Sequence, residues 1–245
     1  MTDKEAPERS FKLLFALLML GVIGVASLMA MPLETLLPDG IEVPRALLLI
    51  QPAVLVLAFA AAGWWAAPKA GLGAPYLTAL LERWAMPKLP PMICASLLVA
   101  LAGGAVLLGY AALTRDIFAG TAAPDLPQPL VTRLLYGGVA EELLARWGIL
   151  SLAMLGLLKL KAGPGAAFWS ANLLAAVLFG VGHFGMLFSV LPDPPVWLLL
   201  AVLVGNMVPA LGYGWLFRRF GIEAAMLAHA GTHLVAVGGT SLLGG

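Results

Sequence analysis

The chain of 245 residues has little charge, three histidines and one cysteine. Only 11% of its residues are charged and 61% are hydrophobic, whereas an average soluble protein is about 25% charged. Because so few charges cannot cover a surface in water, the composition excludes an ordinary soluble domain, and its apolar content excludes a disordered chain. The single cysteine, Cys94, excludes an internal disulfide, and since it lies within an apolar run we expect it to be buried. No block of basic residues indicates nucleic-acid binding.

Several apolar runs are long enough to cross a bilayer, which takes about 20 apolar residues per helix. The seven runs cover residues 11–31, 45–66, 92–113, 130–158, 166–190, 195–217 and 222–241. The pattern predicts an all-α protein, a polytopic transmembrane helical bundle with about seven membrane helices, within a range of six to eight. The first run exceeds the apolar segment of a typical signal peptide, so we interpret it as a retained membrane anchor.

The distribution of Lys and Arg between the loops predicts the orientation, because cytoplasmic loops are enriched in basic residues. Alternate loops on one side hold ten basic residues, namely Lys4, Arg9, Lys12, Lys69, Arg83, Lys88, Lys159, Lys161, Arg218 and Arg219. The opposite side holds three, Arg45, Arg115 and Arg133, together with the acidic residues Glu34, Asp39, Glu42, Asp116, Asp125 and Asp193. This bias places the N-terminus in the cytoplasm, and we expect a bacterial plasma membrane protein.

The loop of residues 67–91 contains apolar side chains at helical spacing. Leu77, Leu80, Leu81 and Trp84 recur on one helical face beside basic residues. The pattern fits either a short helix at the membrane interface or a solvated loop.

Three charged residues lie inside an apolar run instead of in a loop: Glu141, Glu142 and Arg146. Each ionisable group near the bilayer centre costs roughly 2.5–3.5 kcal/mol, so these side chains need partners or a wet cavity. On a helix Glu142 and Arg146 are four residues apart and can pair, whereas Glu141 points about 100° away. The pairing leaves Glu141 as the carboxylate without a counter-charge. A purely structural interpretation is equally consistent, with the ion pair holding helices together.

All three histidines, His183, His229 and His233, also lie in predicted membrane segments. A lone intramembrane histidine is more often a packing residue than a catalytic one. His229 and His233 are four residues apart and share a helix face, while His183 follows Phe179 by one turn. Three histidines and two carboxylates on three separate helices are better explained by one polar cavity than by independent packing.

Such a cavity supports two hydrolytic mechanisms. In the first, a carboxylate beside a neutral imidazole deprotonates a water, and other imidazoles stabilise the oxyanion that forms on an amide. In the second, the histidines at i and i+4 join a glutamate from another helix to bind zinc, which activates the water. The sequence lacks HExxH, so the metal interpretation rests on HxxxH alone.

Three motifs in order, EELLAR (141–146), FGVGH (179–183) and HAGTH (229–233), resemble those of the CPBP family of intramembrane proteases, relatives of type II CAAX prenyl endopeptidase. The family pattern is EExxxR, FxxxH and then HxxxN or HxxxD on consecutive transmembrane helices. The resemblance covers residues 130–240, so residues 130–245 would form the catalytic core and residues 1–129 the preceding helices of one integral membrane domain.

The resemblance implies roles for the motif residues. Glu141 would be the base that activates water, and His183 would help to hold that water. Glu142 and Arg146 would form the supporting ion pair.

The third motif carries the departure from the family. By resemblance His229 helps to stabilise the oxyanion, but His233 stands where the family has Asn or Asp. An imidazole also donates hydrogen bonds, so activity is compatible with this change. The favoured mechanism requires no cofactor, and the alternative is a zinc ion held by Glu141, His183, His229 and His233.

The expected function is that of an intramembrane endopeptidase, which cleaves a membrane-tethered or lipidated protein or peptide. The alternatives are a non-catalytic membrane scaffold, a bacteriocin-immunity-type protein and, third, a proton-coupled transporter.

Sequence position raises one conflict, because His229 falls early in its run whereas Glu141 and His183 fall late in theirs, counted from the cytoplasmic end. A shared site therefore requires a tilted, broken or re-entrant segment, and we expect it at Trp147–Gly148 or around Gly221.

Overall fold

The structure, a computed structural model, describes residues 10–37, 40, 42–119 and 128–242, and the regular elements within these ranges are helices. We label the helices used below α1 (Phe11–Ala26), α2 (Ile50–Ala66), α3 (Pro75–Glu82), α4 (Leu89–Ala119), α5 (130–159), α6 (Pro164–Gly182), α7 (Phe184–Val190), α8 (Val196–Phe220) and α9 (Ile222–Leu242). A helical turn at Arg45–Leu48 precedes α2, and 3-10 turns occupy Ser27–Ala30, Leu33–Leu36 and Pro68–Ala70. The predicted all-α fold class is confirmed.

Every one of the predicted apolar runs is helical. Within the described ranges, five helical spans are long and apolar enough to cross a bilayer: Phe11–Ala30, Arg45–Ala66, Leu89–Phe118, Pro164–Val190 and Val196–Phe220. The two other runs, α5 and α9, carry the charged and histidine-containing motifs, which lower their hydropathy. The polar residues of the protein's interior are thus concentrated on these two helices.

Helix α5 departs from regular α-helical geometry on both sides of its glutamate pair. It is π-helical over Arg133–Ala140 and again over Leu143–Leu150, and α-helical from Ser151 to Lys159. The backbone therefore continues through Trp147–Gly148, and the break that we expected there is wrong. The widened turns accommodate close packing instead, because Gly148 lies against Phe59 and Trp147 donates a hydrogen bond to the carbonyl of Ala60 at 3.0 Å.

Small residues bring α9 close to three other helices and set their relative directions. On α4, Ser96 donates to the carbonyl of Ala224, while Gly239 further along α9 lies against Leu108, so α4 and α9 are parallel. On α5, Gly138 packs on Ala230, and small residues at such crossings allow backbones to approach. Helices α8 and α9 are joined by Gly221 alone, whose φ of +106° favours glycine. They form an antiparallel hairpin.

The N-terminal end of α1 is tied to the short helix α3. Ser10 caps α1 by accepting the amide of Leu13 at 3.3 Å, and its hydroxyl donates to Glu82 at 2.5 Å. Lys12 pairs with the same carboxylate at 2.9 Å. These contacts fix the interfacial segment on the bundle.

Two sequence predictions need correction. Cys94 is exposed on the outer face of α4, because an apolar residue on a membrane helix can face lipid as readily as the core. The predicted interfacial helix exists, but it ends at Glu82 since Arg83 adopts a left-handed conformation, so Trp84 lies beyond it. Of the charges used to predict orientation, Lys4, Arg9, Asp39 and Asp125 lie outside the described residues.

Candidate active site

Glu142 is the centre of a buried charge cluster. Its side chain is 0% exposed, and its Oε1 lies 3.0 Å from a terminal nitrogen of Arg146, so the predicted i, i+4 pair is present. The same oxygen accepts a hydrogen bond of 2.8 Å from Nδ1 of His229 on α9. One carboxylate thus joins the first and third sequence motifs.

Arg146 contacts aromatic rings as well as the carboxylate of Glu142. Its guanidinium carbon lies 4.7 Å from the ring centre of Phe179 and 5.2 Å from that of Tyr213. Among the described residues, neither of its terminal nitrogens meets the geometry of a hydrogen bond. Its contact with Glu142 is therefore an ion pair, and the aromatic faces supply further cation–π attraction.

Glu141 differs from its neighbour in exposure and in partners. Its side chain is 23% exposed, and its Oε2 lies 3.9 Å from Nε2 of His229. This distance exceeds a hydrogen bond and suits a bridge through one water molecule. The carboxylate with access to a reactant is thus Glu141, while Glu142 is enclosed.

The hydrogen bond to Glu142 fixes how the His229 ring is used. A carboxylate oxygen accepts, so Nδ1 of His229 must carry the proton. Its Nε2 consequently faces Glu141. The orientation resembles that of imidazoles whose distal nitrogen is held by a carboxylate so that the other nitrogen is free for chemistry.

His183 lies at the break between α6 and α7. Its Nδ1 donates to the carbonyl of Phe179 at 2.8 Å, because a carbonyl can only accept, and this leaves the Nε2 lone pair available. The Phe179 ring lies 4.8 Å from the His183 ring and 5.7 Å from the His229 ring, centre to centre. Phe179 thereby brings the second motif against the other two.

His233, the residue that departs from the family pattern, packs beside the cluster. Its ring stacks on that of His229 with centres 5.0 Å apart. Its Nε2 faces Gly137 of α5, where any side chain would collide with it, and its Nδ1 is buried with no hydrogen-bond partner within the part of the chain that the structure describes. His233 thus supports the position of His229 by stacking, and its Nδ1 is not used in a hydrogen bond to the described residues.

The structure resolves the conflict of sequence position by packing. Helix α9 starts directly after the hairpin turn at Gly221, and His229 stacks on Tyr213 of α8, with ring centres 4.7 Å apart. His183 reaches the cluster through Phe179, which precedes the helix break. All six predicted site residues thus belong to one constellation.

A known protein family matches the part of the chain that contains these residues. The family model described as type II CAAX prenyl endopeptidase Rce1-like matches residues 124–235, which contain all three motifs. The match covers less than half of the chain and supports its membership of the Rce1-like family. The match covers α5 to α8 and most of α9 and implies a protease in general, and together with the five apolar helical spans it supports an integral membrane protein. No curated protein and no solved structure matches the chain.

Sequence reasoning missed two residues of this Rce1-like site, Tyr213 and Thr232. The hydroxyl of Tyr213 donates to Thr232 at 2.7 Å while the ring stacks on His229 at an angle of 18°. Thr232 in turn contacts the carbonyl of Ala100 at 3.4 Å. The sequence of α8 does not single out Tyr213, because only tertiary packing places its ring against His229.

A metal centre requires several ligand side chains that converge on one point. Zinc needs at least three ligand atoms at about 2.0–2.3 Å. Across residues 10–37, 40, 42–119 and 128–242, no three His, Cys, Asp or Glu side chains converge in this way. The side chains as placed therefore do not fit a zinc ion.

Proposed function

We propose that the protein cleaves a peptide bond in a membrane-tethered or lipidated protein, with Glu141 as the general base. The observation that supports this assignment is the asymmetry of the glutamate pair. Glu142 is enclosed between Arg146 and His229, whereas Glu141 is partly exposed and has no basic side chain within ion-pair distance other than His229 in the described structure.

His229 lies between the two carboxylates of the cluster, with Nδ1 2.8 Å from Glu142 and Nε2 3.9 Å from Glu141. The proposed reaction requires a proton on Nε2 as well as on Nδ1, because only an N–H group can donate a hydrogen bond to an oxyanion.

The proposed reaction begins with a water held between Glu141 and the Nε2 lone pair of His183. As the water oxygen forms a bond to the amide carbon, its proton passes to Glu141, and the carbonyl oxygen becomes an oxyanion. Nε2–H of His229 donates to that oxyanion, a contribution worth about 10²–10³ in rate for one such donor. Glu141 then gives its proton to the amide nitrogen and the C–N bond breaks, which releases an amine and a carboxylic acid that carries the second proton of the water.

Glu142 and Arg146 act in this scheme as positioning residues. The Glu142 carboxylate orients the His229 ring through Nδ1, and Arg146 compensates its charge. Loss of either group would displace an imidazole that must lie within hydrogen-bond reach of the reacting carbonyl.

The substrate class is tested by comparing the termini of membrane proteins in cells that contain the wild type or Glu141→Ala. We expect new C-termini that are present only with the wild type, and the same loss with His183→Ala at unchanged expression and membrane insertion. Glu34→Ala, which removes an exposed carboxylate of a loop, is the matched control and should process normally. Normal processing by Glu141→Ala would instead support a scaffold.

We further propose that hydrolysis proceeds without a metal. Purified protein should keep its activity after treatment with a chelator, followed by metal analysis of the same sample. Loss of activity that zinc restores would overturn this part of the proposal and would favour binding by Glu141 and the histidines.

A further inference from the structure

A cavity of about 310 Å³ lies outside the catalytic cluster, between the start of α6 and the end of α8. We call it the headgroup cavity, and it is lined by Phe168, Trp169, Trp215, Arg218 and Arg219. It lies at the helix ends that face the same side as the α8–α9 hairpin turn. None of its lining residues takes part in the proposed hydrolysis.

Aromatic rings hold both guanidinium groups of the headgroup cavity. The guanidinium carbon of Arg218 lies 4.4 Å from the ring centre of Phe168, which is itself fully buried. That of Arg219 lies 5.0 Å from the ring centre of Phe220. Stacking of this kind orders an arginine side chain while its N–H groups remain able to bind an anion.

No carboxylate from the surrounding helices neutralises these arginines. Residues 143–192 and 194–222 contain no Asp or Glu, so the elements that form the cavity supply only positive charge. Lys159 and Lys161 lie on the same side of the bundle, at the end of α5 and in the connection to α6. The next acidic residue, Glu223, accepts the amide of Leu77 at 2.7 Å.

The aromatic residues of the cavity place it at the level of lipid headgroups. Trp169 and Trp215 are 53% and 40% exposed at the ends of two membrane-spanning helices. Tryptophan is enriched at this depth, where its ring meets acyl chains on one side and polar groups on the other. A ligand that is anionic at one end and apolar at the other matches this arrangement.

We propose that the headgroup cavity binds the phosphate of an anionic phospholipid through Arg218 and Arg219. Arginine suits a phosphate diester because its N–H groups contact two oxygens at once. The inference is independent of the proposed hydrolysis. Arginines at a helix C-terminus also interact with the helix dipole, but that role gives no preference between lipids.

The test uses the purified full-length chain in detergent, titrated with phosphatidylglycerol or phosphatidylcholine of equal acyl length and analysed by native mass spectrometry. One basic residue contributes about fivefold to binding at an anionic surface, so two contribute about 25-fold. We expect phosphatidylglycerol to bind the wild type about 25-fold more tightly. Arg218→Gln/Arg219→Gln should lose this preference, and Arg218→Lys/Arg219→Lys should keep most of it.

Two controls separate the headgroup cavity from general surface charge and from free anions. Arg115→Gln, which removes an exposed arginine at the opposite end of the bundle, should bind as the wild type does. Millimolar inorganic phosphate should not displace the lipid, because it lacks the acyl chains. Equal affinity for the two lipids, a preserved preference in the Gln variant, or displacement by phosphate would each overturn the proposal.

Discussion

The buried pair of Glu142 and Arg146 allows a quantitative test of the charge cluster. Both side chains are at most 1% exposed, so Glu142→Gln leaves the guanidinium buried without a counter-charge. Breaking a buried ion pair in this way costs about 3–5 kcal/mol. Arg146→Met should cost less, because Glu142 keeps its hydrogen bond of 2.8 Å to His229.

The double variant Glu142→Gln/Arg146→Met removes both charges at once. We expect it to be less destabilised than Glu142→Gln alone, since no unpaired charge remains, and the coupling free energy should be about 2–4 kcal/mol. The free energy of unfolding is measured by denaturant titration in bicelles for the four members of the cycle. The same cycle at the exposed pair of Glu34 and Arg45 is the control, and its coupling should not exceed about 1 kcal/mol. Additive losses at Glu142 and Arg146 would refute the assignment of a coupled buried pair.

Three further predictions concern packing, the site and pH. Gly103→Ala places a methyl group 2.6 Å from the hydroxyl of Thr232 and should destabilise the protein by about 1–3 kcal/mol in thermal unfolding, whereas Gly109→Ala on the same helix meets open space and should be neutral or stabilising. Tyr213→Leu removes the ring that stacks on His229 and should lower kcat more than it raises KM, while Tyr213→Phe keeps the stack and most of the activity. Hydrogen bonds from the serine and lysine at the start of α1 hold the pKa of Glu82 below its ordinary value, so its contribution to stability is present above about pH 4.5 and is lost as the pH falls through the lowered pKa. In the wild type the midpoint of thermal unfolding should therefore fall at acid pH, and in Glu82→Gln this fall should be absent. Identical pH profiles of the two proteins would contradict this interpretation.

The polar cluster of α5, α6 and α9 can largely be predicted from the sequence, because its members are polar side chains within apolar runs. A charge or an imidazole inside an apolar run is visible in the sequence without any knowledge of neighbours, which is how Glu141, Glu142, Arg146 and the histidines were found. Tyr213 carries no such signal, because a tyrosine is common in membrane helices and its partner lies on the next helix.

Other features depend on packing that hydropathy does not record. The π-helical turns around Glu141 arise where Gly137 and Gly138 of α5 meet α9, so the sequence of α5 alone predicts an ordinary helix. The exposure of Cys94 could not be predicted either, because lipid-facing and core-facing positions of a membrane helix are equally apolar.

The central claim is that Glu141 activates the hydrolytic water, and one measurement tests it directly. Purified wild type, Glu141→Gln and the control Glu34→Gln are reconstituted in vesicles and assayed on a farnesylated peptide that ends in a CAAX sequence. We predict that Glu141→Gln folds and inserts as the wild type does and that its kcat is about 10²–10⁴ lower, the usual contribution of a general base, while Glu34→Gln is unaffected. Cleavage by Glu141→Gln at the wild-type rate would contradict the account.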